Sequence, residues 1–299
     1  MSHRLHTLMT GGDFFEGPRW RRGRWWVSDF YRHGVYTVTP DGEAEKILDV
    51  PGQPSGLGWM PDGSLLVVSM RDRQLLRRWP DGQVTTHADL SAHAPWHCND
   101  MVVDGHGRAW VGNFGFDMMS GANPVTTCLL RVDPDGSVTE VADGLAFPNG
   151  AVISPDGRAL IVGESMAGRL TAFTIGQDGA LADRRVHAQL GKAPPLTSAE
   201  ETMAGLTLAP DGCCLDAKEH IWVADALGGG CMRVAPGGDI AETIEPPEGQ
   251  SFFACMLGGP EGRTLLLCCA PDSSEHRRAG AGEATLLTCE VDTPHAGYP

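Results

Sequence analysis

The chain has 299 residues, including 39 glycines and 21 prolines, and its 23 basic and 38 acidic side chains give a formal net charge of −15. This acidic excess argues against a nucleic-acid partner and suits a protein that holds a cation. Because the N-terminus lacks the apolar core of a signal peptide and no run approaches the ~20 apolar residues of a membrane span, we expect a cytoplasmic protein with no membrane partner.

One short phrase recurs along the chain: two apolar residues, then a Val or Leu, then a small residue. Copies about 40 to 60 residues apart match the length of one four-stranded propeller blade. The repeat predicts an all-β fold, a six-bladed β-propeller that forms a single domain over residues 1–299. Aligned on the third residue of each phrase, the six copies centre on Val27, Val68, Val111, Val162, Val223 and Leu267.

The two ends of the chain suggest how the ring closes. The sixth unit stops after a strand predicted at 284–291 and is one strand short, whereas a strand predicted at 3–9 precedes the first unit. We expect the N-terminal strand to pair in the last blade, which would remove two free sheet edges. Two stacked β-sandwiches are the alternative, but they do not explain six copies of one phrase.

Two further features concern the interior and the longest insertion. The nine cysteines are an odd count without Cys-x-x-Cys spacing, so we expect reduced core residues and not disulfides or a thiolate metal site. Residues 198–205 could form a turn of helix between the fourth and fifth units.

Oxygen-bearing side chains occupy one position, 11 to 13 residues before the aligned valine, in each of the first five repeats. The first strand of each propeller blade lines the central channel, so side chains at an equivalent position converge on the axis. Strands normally contain few Asn and Asp residues, so their recurrence here needs a reason. The five residues are Glu16, Ser55, Asn99, Asn149 and Asp211.

A bound cation is one such reason. Two carboxylates and two amide oxygens are hard ligands with a total charge of −2, which suits Ca²⁺, Mg²⁺ or Mn²⁺ better than a thiolate-binding metal. The alternative is a turn role, since Asn149-Gly150 and Asp211-Gly212 are ordinary turn dipeptides. Four such residues in register favour the cation.

The motifs around these residues resemble those of the calcium-dependent lactonases of the senescence marker protein (regucalcin), gluconolactonase and luciferin-regenerating enzyme family. The resemblance spans nearly the whole chain. It implies that Glu16, Asn149 and Asp211 bind one divalent metal ion, with Ca²⁺ first and Mg²⁺, Mn²⁺ or Zn²⁺ as alternatives. It also implies that Asn99 faces the substrate and contributes to the metal site. The motifs that carry it are Glu16-Gly17-Pro18-Arg19-Trp20, Asn99-Asp100, Pro148-Asn149-Gly150 and Pro210-Asp211-Gly212.

The resemblance predicts a metal-dependent hydrolase of a small-molecule lactone, either a sugar lactone or a related cyclic ester. In this hypothesis the metal polarises the carbonyl, Asp211 accepts a proton and Asn99 orients the substrate. His97 stands where regucalcin-like members carry an arginine, which places the sugar-lactone assignment in question. His97, Trp96 and Asp117 are candidate substrate contacts, against the alternatives of a water-satisfied rim histidine, a core tryptophan and a plain surface loop.

Other functions fit the same architecture. The axial metal could support phosphotriester hydrolysis, and a strictosidine-synthase-like condensation is known on similar propellers, although the acidic ligands argue against a metal-free synthase. A non-catalytic propeller with a structural ion and a ligand-binding rim is the third alternative. Either a monomer or a small homo-oligomer is compatible with the sequence.

Overall fold

A computed structural model of the protein describes residues 3–297. Within this range 24 strands form six antiparallel sheets of four strands each, which confirms the predicted six-bladed β-propeller. The strands are β1 (His6–Gly12); β2 (Phe15–Arg21), β3 (Arg24–Asp29), β4 (Gly34–Val38) and β5 (Ala44–Asp49) of blade one; β6 (Pro54–Trp59), β7 (Leu65–Ser69), β8 (Gln74–Arg78) and β9 (Val84–Asp89) of blade two; and β10 (Cys98–Val103), β11 (Ala109–Asn113), β12 (Thr127–Val132) and β13 (Val138–Leu145) of blade three. The remaining strands are β14 (Pro148–Ile153), β15 (Ala159–Glu164), β16 (Arg169–Ile175) and β17 (Leu181–Gln189) of blade four; β18 (Pro210–Leu215), β19 (Ile221–Asp225), β20 (Gly230–Val234) and β21 (Ile240–Ile244) of blade five; and β22 (Ser251–Gly258), β23 (Thr264–Ala270) and β24 (Ala284–Glu290) of blade six.

The N-terminal strand closes the ring as expected. Blade six has the order β1-β24-β23-β22, and Thr7 pairs with Leu287 while Thr10 pairs with Thr285. The strand runs from His6 to Gly12 and not over 3–9, because its extent follows its partner β24, whose first residue pairs with Gly12. The pairing covers the outer edge of β24 that blade six would otherwise expose.

The recurring phrases form the second strand of each blade. These strands are largely buried between neighbouring blades, and they include the fully buried Trp25, Trp110 and Trp222. One alignment was wrong: Val67, not Val68, is the blade-two counterpart of Val223, because Val67 pairs with Leu57 as Val223 pairs with Cys213. Because four consecutive residues of this strand are apolar, the sequence does not show which of them face the same side of the sheet.

The helical content is small. The turn expected at 198–205 is the helix α1 (Ala199–Gly205), and the Ser198 side chain accepts a hydrogen bond from the Glu201 amide at its N-terminus. A second short helix, α2 (Glu275–Arg278), and a 3₁₀ turn (Ser165–Ala167) were not predicted.

The cysteines and the helices can each be compared with the sequence analysis. All nine cysteines are free and buried, as expected. None of the helices in residues 3–297 combines the length and apolar character needed to cross a membrane.

Candidate functional site

The first strand of each blade is interrupted at the axial position. In β18, Pro210 pairs with Asp225 and Cys213 pairs with Val223, and the register shifts between these pairs, where Asp211 lies. The same shift occurs in the first strand of every blade. A bulge of this kind bends a strand and re-aims a side chain. It places Glu16, Ser55, Asn99, Asn149 and Asp211 at equivalent positions, as the sequence predicted.

A glycine follows the axial residue in four blades and permits the first strands to approach closely. A Cβ on Gly150 would lie 2.3 Å from the carbonyl oxygen of Asp211, and one on Gly56 would lie 2.4 Å from the amide nitrogen of Met101. Both distances are too short for any side chain. These glycines therefore let neighbouring blades bring their axial residues together.

Hydrogen bonds join the axial side chains across blades. The Ser55 hydroxyl donates to Asn99 Oδ1 at 3.3 Å, and Asn99 Nδ2 donates to Asn149 Oδ1 at 2.8 Å. Asn149 Nδ2 in turn donates to Ser165 Oγ at 3.0 Å, and the Ser165 hydroxyl donates to the Pro210 carbonyl at 2.7 Å. The chain of bonds fixes both amides around the channel.

Two carboxylates lie in this buried network. Burial raises the pKa of Asp211 to about 8, and the charge of Asp100 adds to this effect, while hydrogen bonds from Asn149 and Gly212 oppose it. The pKa of Glu16 is also raised well above its usual range, first by burial and then by the charges of Asp211 and Asp100. The cause is the desolvation of like charges in a confined space.

A buried ion pair lies next to the axial carboxylates. Arg19 Nη2 lies 3.1 Å from Asp100 Oδ1, and both side chains are only 4% exposed. The same guanidinium donates to the Met101 carbonyl at 2.6 Å, so it links blade one to blade three. Arg19 also lines a cavity of about 260 Å³ at the opposite end of the channel.

A pocket of about 150 Å³ opens onto the axial residues. Glu16, Asn99, Asn149 and Asp211 all line it, and all four are buried. The structure thus brings together the four side chains that the sequence analysis proposed as metal ligands. Ser55 does not line the pocket and acts through its hydrogen bond to Asn99.

The donor set fits a hard divalent cation. Across residues 3–297, no group of three or more His, Cys, Asp or Glu side chains is placed to hold a metal ion, so a cation here would also need the amide oxygens. In the described part of the chain Asn99 Oδ1 and Asn149 Oδ1 each accept one hydrogen bond, which leaves a lone pair on each. Two carboxylates with raised pKa values would gain from a positive charge.

The other three predicted site residues do not line this pocket. The His97 ring stacks on Trp96 at 5.1 Å and lies 5.8 Å from the ring of Phe114, which does line the pocket. Burial, followed by the charge of Arg71, lowers the pKa of His97. Asp117 accepts a hydrogen bond from the Ser120 amide within its own loop. Trp96 and His97 can therefore affect a ligand through Phe114.

Sequence reasoning missed the sixth axial residue, Phe253. It follows Phe252, which pairs with Cys269 as Pro210 pairs with Asp225. The hairpin of β22 and β23 is one residue pair longer than that of blade five, so the 11-to-13-residue spacing did not apply. It also missed Ser165, whose position depends on the unpredicted 3₁₀ turn.

Comparisons with known proteins place these observations in context. A family model described as "SMP-30/Gluconolactonase/LRE-like region" matches residues 14–270. The sequence is similar to the pentonolactonase XacC of Haloferax volcanii, with 27% identity over 296 residues that cover 95% of this chain and 92% of that protein. It is also similar to the regucalcin of Danio rerio, with 28% identity over 194 residues that cover 64% of this chain and 60% of that protein.

A solved structure shares the fold over the entire ring. The calcium-binding protein regucalcin of Agrobacterium tumefaciens matches with a TM-score of 0.80 and 20% identity, covering 100% of this chain and 97% of that chain.

Proposed function

The chain belongs to the SMP-30/gluconolactonase/LRE-like family, and from this premise we propose that it hydrolyses a lactone with one divalent cation bound in its central channel. The observation that carries the proposal is the convergence of two buried carboxylates and two carboxamides on one pocket. The pentonolactonase relative, which aligns over nearly its whole length, supports the lactone as substrate class.

Glu16, Asn149, Asp211 and Asn99 would hold the cation. Their hard oxygen atoms and total charge of −2 make Ca²⁺ our first choice, and a structural neighbour with this fold is named a calcium-binding protein. A divalent cation in this set would polarise an ester carbonyl and make a nearby water more acidic.

The chain's own residues would then guide the proton and the substrate. Asp211 is the carboxylate we assign as proton acceptor, and the Asn99 amide would orient the lactone carbonyl. The water oxygen bonds to the carbonyl carbon and gives its proton to Asp211. The ring carbon–oxygen bond breaks, and the leaving alkoxide takes up that proton. The product is an open-chain hydroxy acid.

Trp96, His97 and Asp117 remain proposed determinants of substrate choice. His97 packs behind Phe114 and Trp96 stacks on His97, so changes there would move a pocket wall without touching the carboxylates. Asp117 lies in the same loop as the pocket residues Met118 and Met119 and would set their position.

The test combines metal analysis with a panel of lactones. Protein purified without chelator should contain one divalent ion per chain, and its lactonase activity should be lost on chelation and restored by added cation. Asp211→Asn keeps the volume and removes one charge, so we expect cation affinity to fall at least about tenfold. Ser55→Ala, at the equivalent position of blade two, which contributes no ligand, should change affinity by less than about threefold.

Two results would overturn this proposal. One is that the metal-loaded protein hydrolyses no lactone. The other is that Asp211→Asn hydrolyses every active lactone at the parent rate.

A further inference from the structure

The wall of the pocket is aromatic, whereas the end formed by the axial residues is polar. Five phenylalanine rings line it, and they form two groups. On one side, the ring centroids of Phe114 and Phe147 lie 4.4 Å apart. On the other side, the ring centroid of Phe14 lies 4.8 Å from that of Phe253 and 5.2 Å from that of Phe30. Packed aromatic rings give a rigid apolar surface. A ligand whose carbonyl reaches the axial residues therefore places the rest of its structure between these rings.

The wall carries three hydroxyl groups, those of Tyr31, Ser165 and Ser273, and the first two already donate hydrogen bonds within the protein. The Tyr31 hydroxyl donates to the Ser273 carbonyl at 2.6 Å. The Ser165 hydroxyl donates to the Pro210 carbonyl and accepts from Asn149. Of residues 3–297, no Lys, Arg or His side chain lines this pocket. The wall thus offers a ligand hydroxyl group few hydrogen-bonding partners.

The mouth of the pocket is apolar as well. Met119, Met203 and Leu227 line it and are 49%, 47% and 43% exposed. Of the other large exposed apolar residues, Val84, Val186 and Ile240 lie on outermost strands, and Val125 lies in the loop before β12. An exposed apolar group around a pocket points to a ligand that is itself apolar.

Two insertions carry two of the three mouth residues. Residues 114–126, between β11 and β12, carry Met119, and residues 190–209, between β17 and β18, carry Met203 on α1. The Ala199 amide donates to Asn123 Oδ1 at 3.2 Å, which ties the two insertions together. The apolar mouth is therefore a structured surface held by contacts between two distant parts of the chain.

We propose that the substrate is a lactone with an alkyl or aryl substituent and not a polyhydroxylated sugar lactone. This inference rests on the proposed lactonase function and names the substrate of the same pocket. A sugar lactone would bury several hydroxyl groups without partners, which is unfavourable, whereas apolar carbon gains from leaving water. A volume of about 150 Å³ matches a cavity known to hold a benzene-sized group, so a substituent on the lactone would extend to the mouth.

A kinetic comparison tests the inference. Glucono-δ-lactone and a δ-lactone with a five-carbon alkyl chain present the same ring size with opposite polarity. We expect kcat/KM to be at least about tenfold higher for the alkyl lactone. A preference for glucono-δ-lactone, or equal values, would overturn the inference and leave the lactonase proposal intact.

A binding measurement separates the two proposals further. The alkyl lactam and the polyhydroxylated lactam of the same ring size resist hydrolysis, so calorimetry can compare them without turnover. We expect the alkyl lactam to bind at least about tenfold more tightly, with a negative heat-capacity change. Equal or weaker binding of the alkyl lactam would overturn the inference. Tight binding of that lactam by a protein that hydrolyses no lactone would refute only the proposed activity.

A pair of variants tests whether the mouth residues determine the preference for the alkyl lactone. Leu227→Asn changes an exposed mouth residue in the turn after β19, and Ile240→Asn changes a similarly exposed residue on the outer strand of the same blade. Leu227→Asn should lower the kcat/KM ratio of alkyl lactone to glucono-δ-lactone about fivefold, and Ile240→Asn should leave the ratio unchanged. If both ratios equal that of the parent protein while both variants keep its melting temperature, the mouth does not select the substrate and the inference fails.

Discussion

Asp100 shows how one residue can change the role of a repeated position. In four blades a glycine follows the axial residue, because the neighbouring strand leaves no room for a Cβ. Blade three has Asp100 there, and its carboxylate reaches across the channel to Arg19. The pair is almost completely buried, so its charges depend on each other for compensation. Its proximity also makes Asp100 one of the charges that raise the pKa values of Glu16 and Asp211.

Asp100→Asn should therefore destabilise the fold. It removes one charge of a buried pair and leaves the Arg19 guanidinium without the carboxylate that it contacts, which costs about 3 kcal/mol. Urea denaturation monitored by tryptophan fluorescence measures the loss. Asp41→Asn, the same change on an exposed turn, should alter stability by less than about 0.5 kcal/mol. Equal stabilities for the two variants would show that the pair contributes nothing to the fold.

His97 does not line the pocket, so its proposed effect on substrate choice would act through the ring of Phe114. Its ring packs between Trp96 and Phe114, so His97→Arg would place a larger, charged group behind a pocket wall. We expect the relative kcat/KM values on different lactones to change at least about threefold, with cation affinity unchanged. Competition with a fluorescent calcium indicator gives the affinity. Loss of cation binding with unchanged lactone preference would refute this placement.

Strand-level features explain which parts of the site could be predicted from the sequence. The first-strand bulges recur, so Glu16, Asn149 and Asp211 lie 11 to 13 residues before the aligned valine of the apolar phrase and could be aligned without a structure. Phe253 was missed because the hairpin of β22 and β23 is one residue pair longer than that of blade five. Val68 was misaligned because the sequence of an apolar strand does not show which residues face the same side of the sheet. The spacing from the phrase therefore locates an axial residue only where the hairpin lengths differ little.

Deletion of the N-terminal strand β1 tests whether its pairing with β24 holds the ring closed. Deleting residues 3–12 removes β1 and exposes the edge of β24, where Leu286 and Leu287 are now buried. We expect a loss of roughly 3 kcal/mol and a melting temperature lower by about 5 °C. Aggregation should increase because a free edge pairs with other chains.

A peptide provides the control for this deletion. A peptide of residues 3–12 added in excess should restore part of the lost stability, and a scrambled peptide should not. A truncated protein that melts within a degree of the full chain would show that β1 does not hold the ring closed.

The composition of the pocket is a property of the whole molecule. Its polar end comes from four blades. Most of its apolar mouth comes from two insertions that meet through Ala199 and Asn123, which are 76 residues apart in the chain. The repeat predicted the polar end because every blade contributes one equivalent residue. Nothing repeats in the insertions, so their meeting and the apolar character of the mouth required the folded structure.

Because the proposed ligands come from blades one, three, four and five, the cation should stabilise the whole ring. An ion that binds only the folded chain adds about 2.7 kcal/mol at a concentration one hundred times its Kd. For a chain of this length that corresponds to a rise in melting temperature of about 4 °C. Scanning calorimetry with Ca²⁺ and with chelator should show this rise in the parent protein and in Ser55→Ala, where all four ligands remain. Asp211→Ala should fold, because its side chain lies in the channel and not in a blade core, yet its melting temperature should no longer respond to Ca²⁺. An equal response in Asp211→Ala would place the cation elsewhere in the molecule.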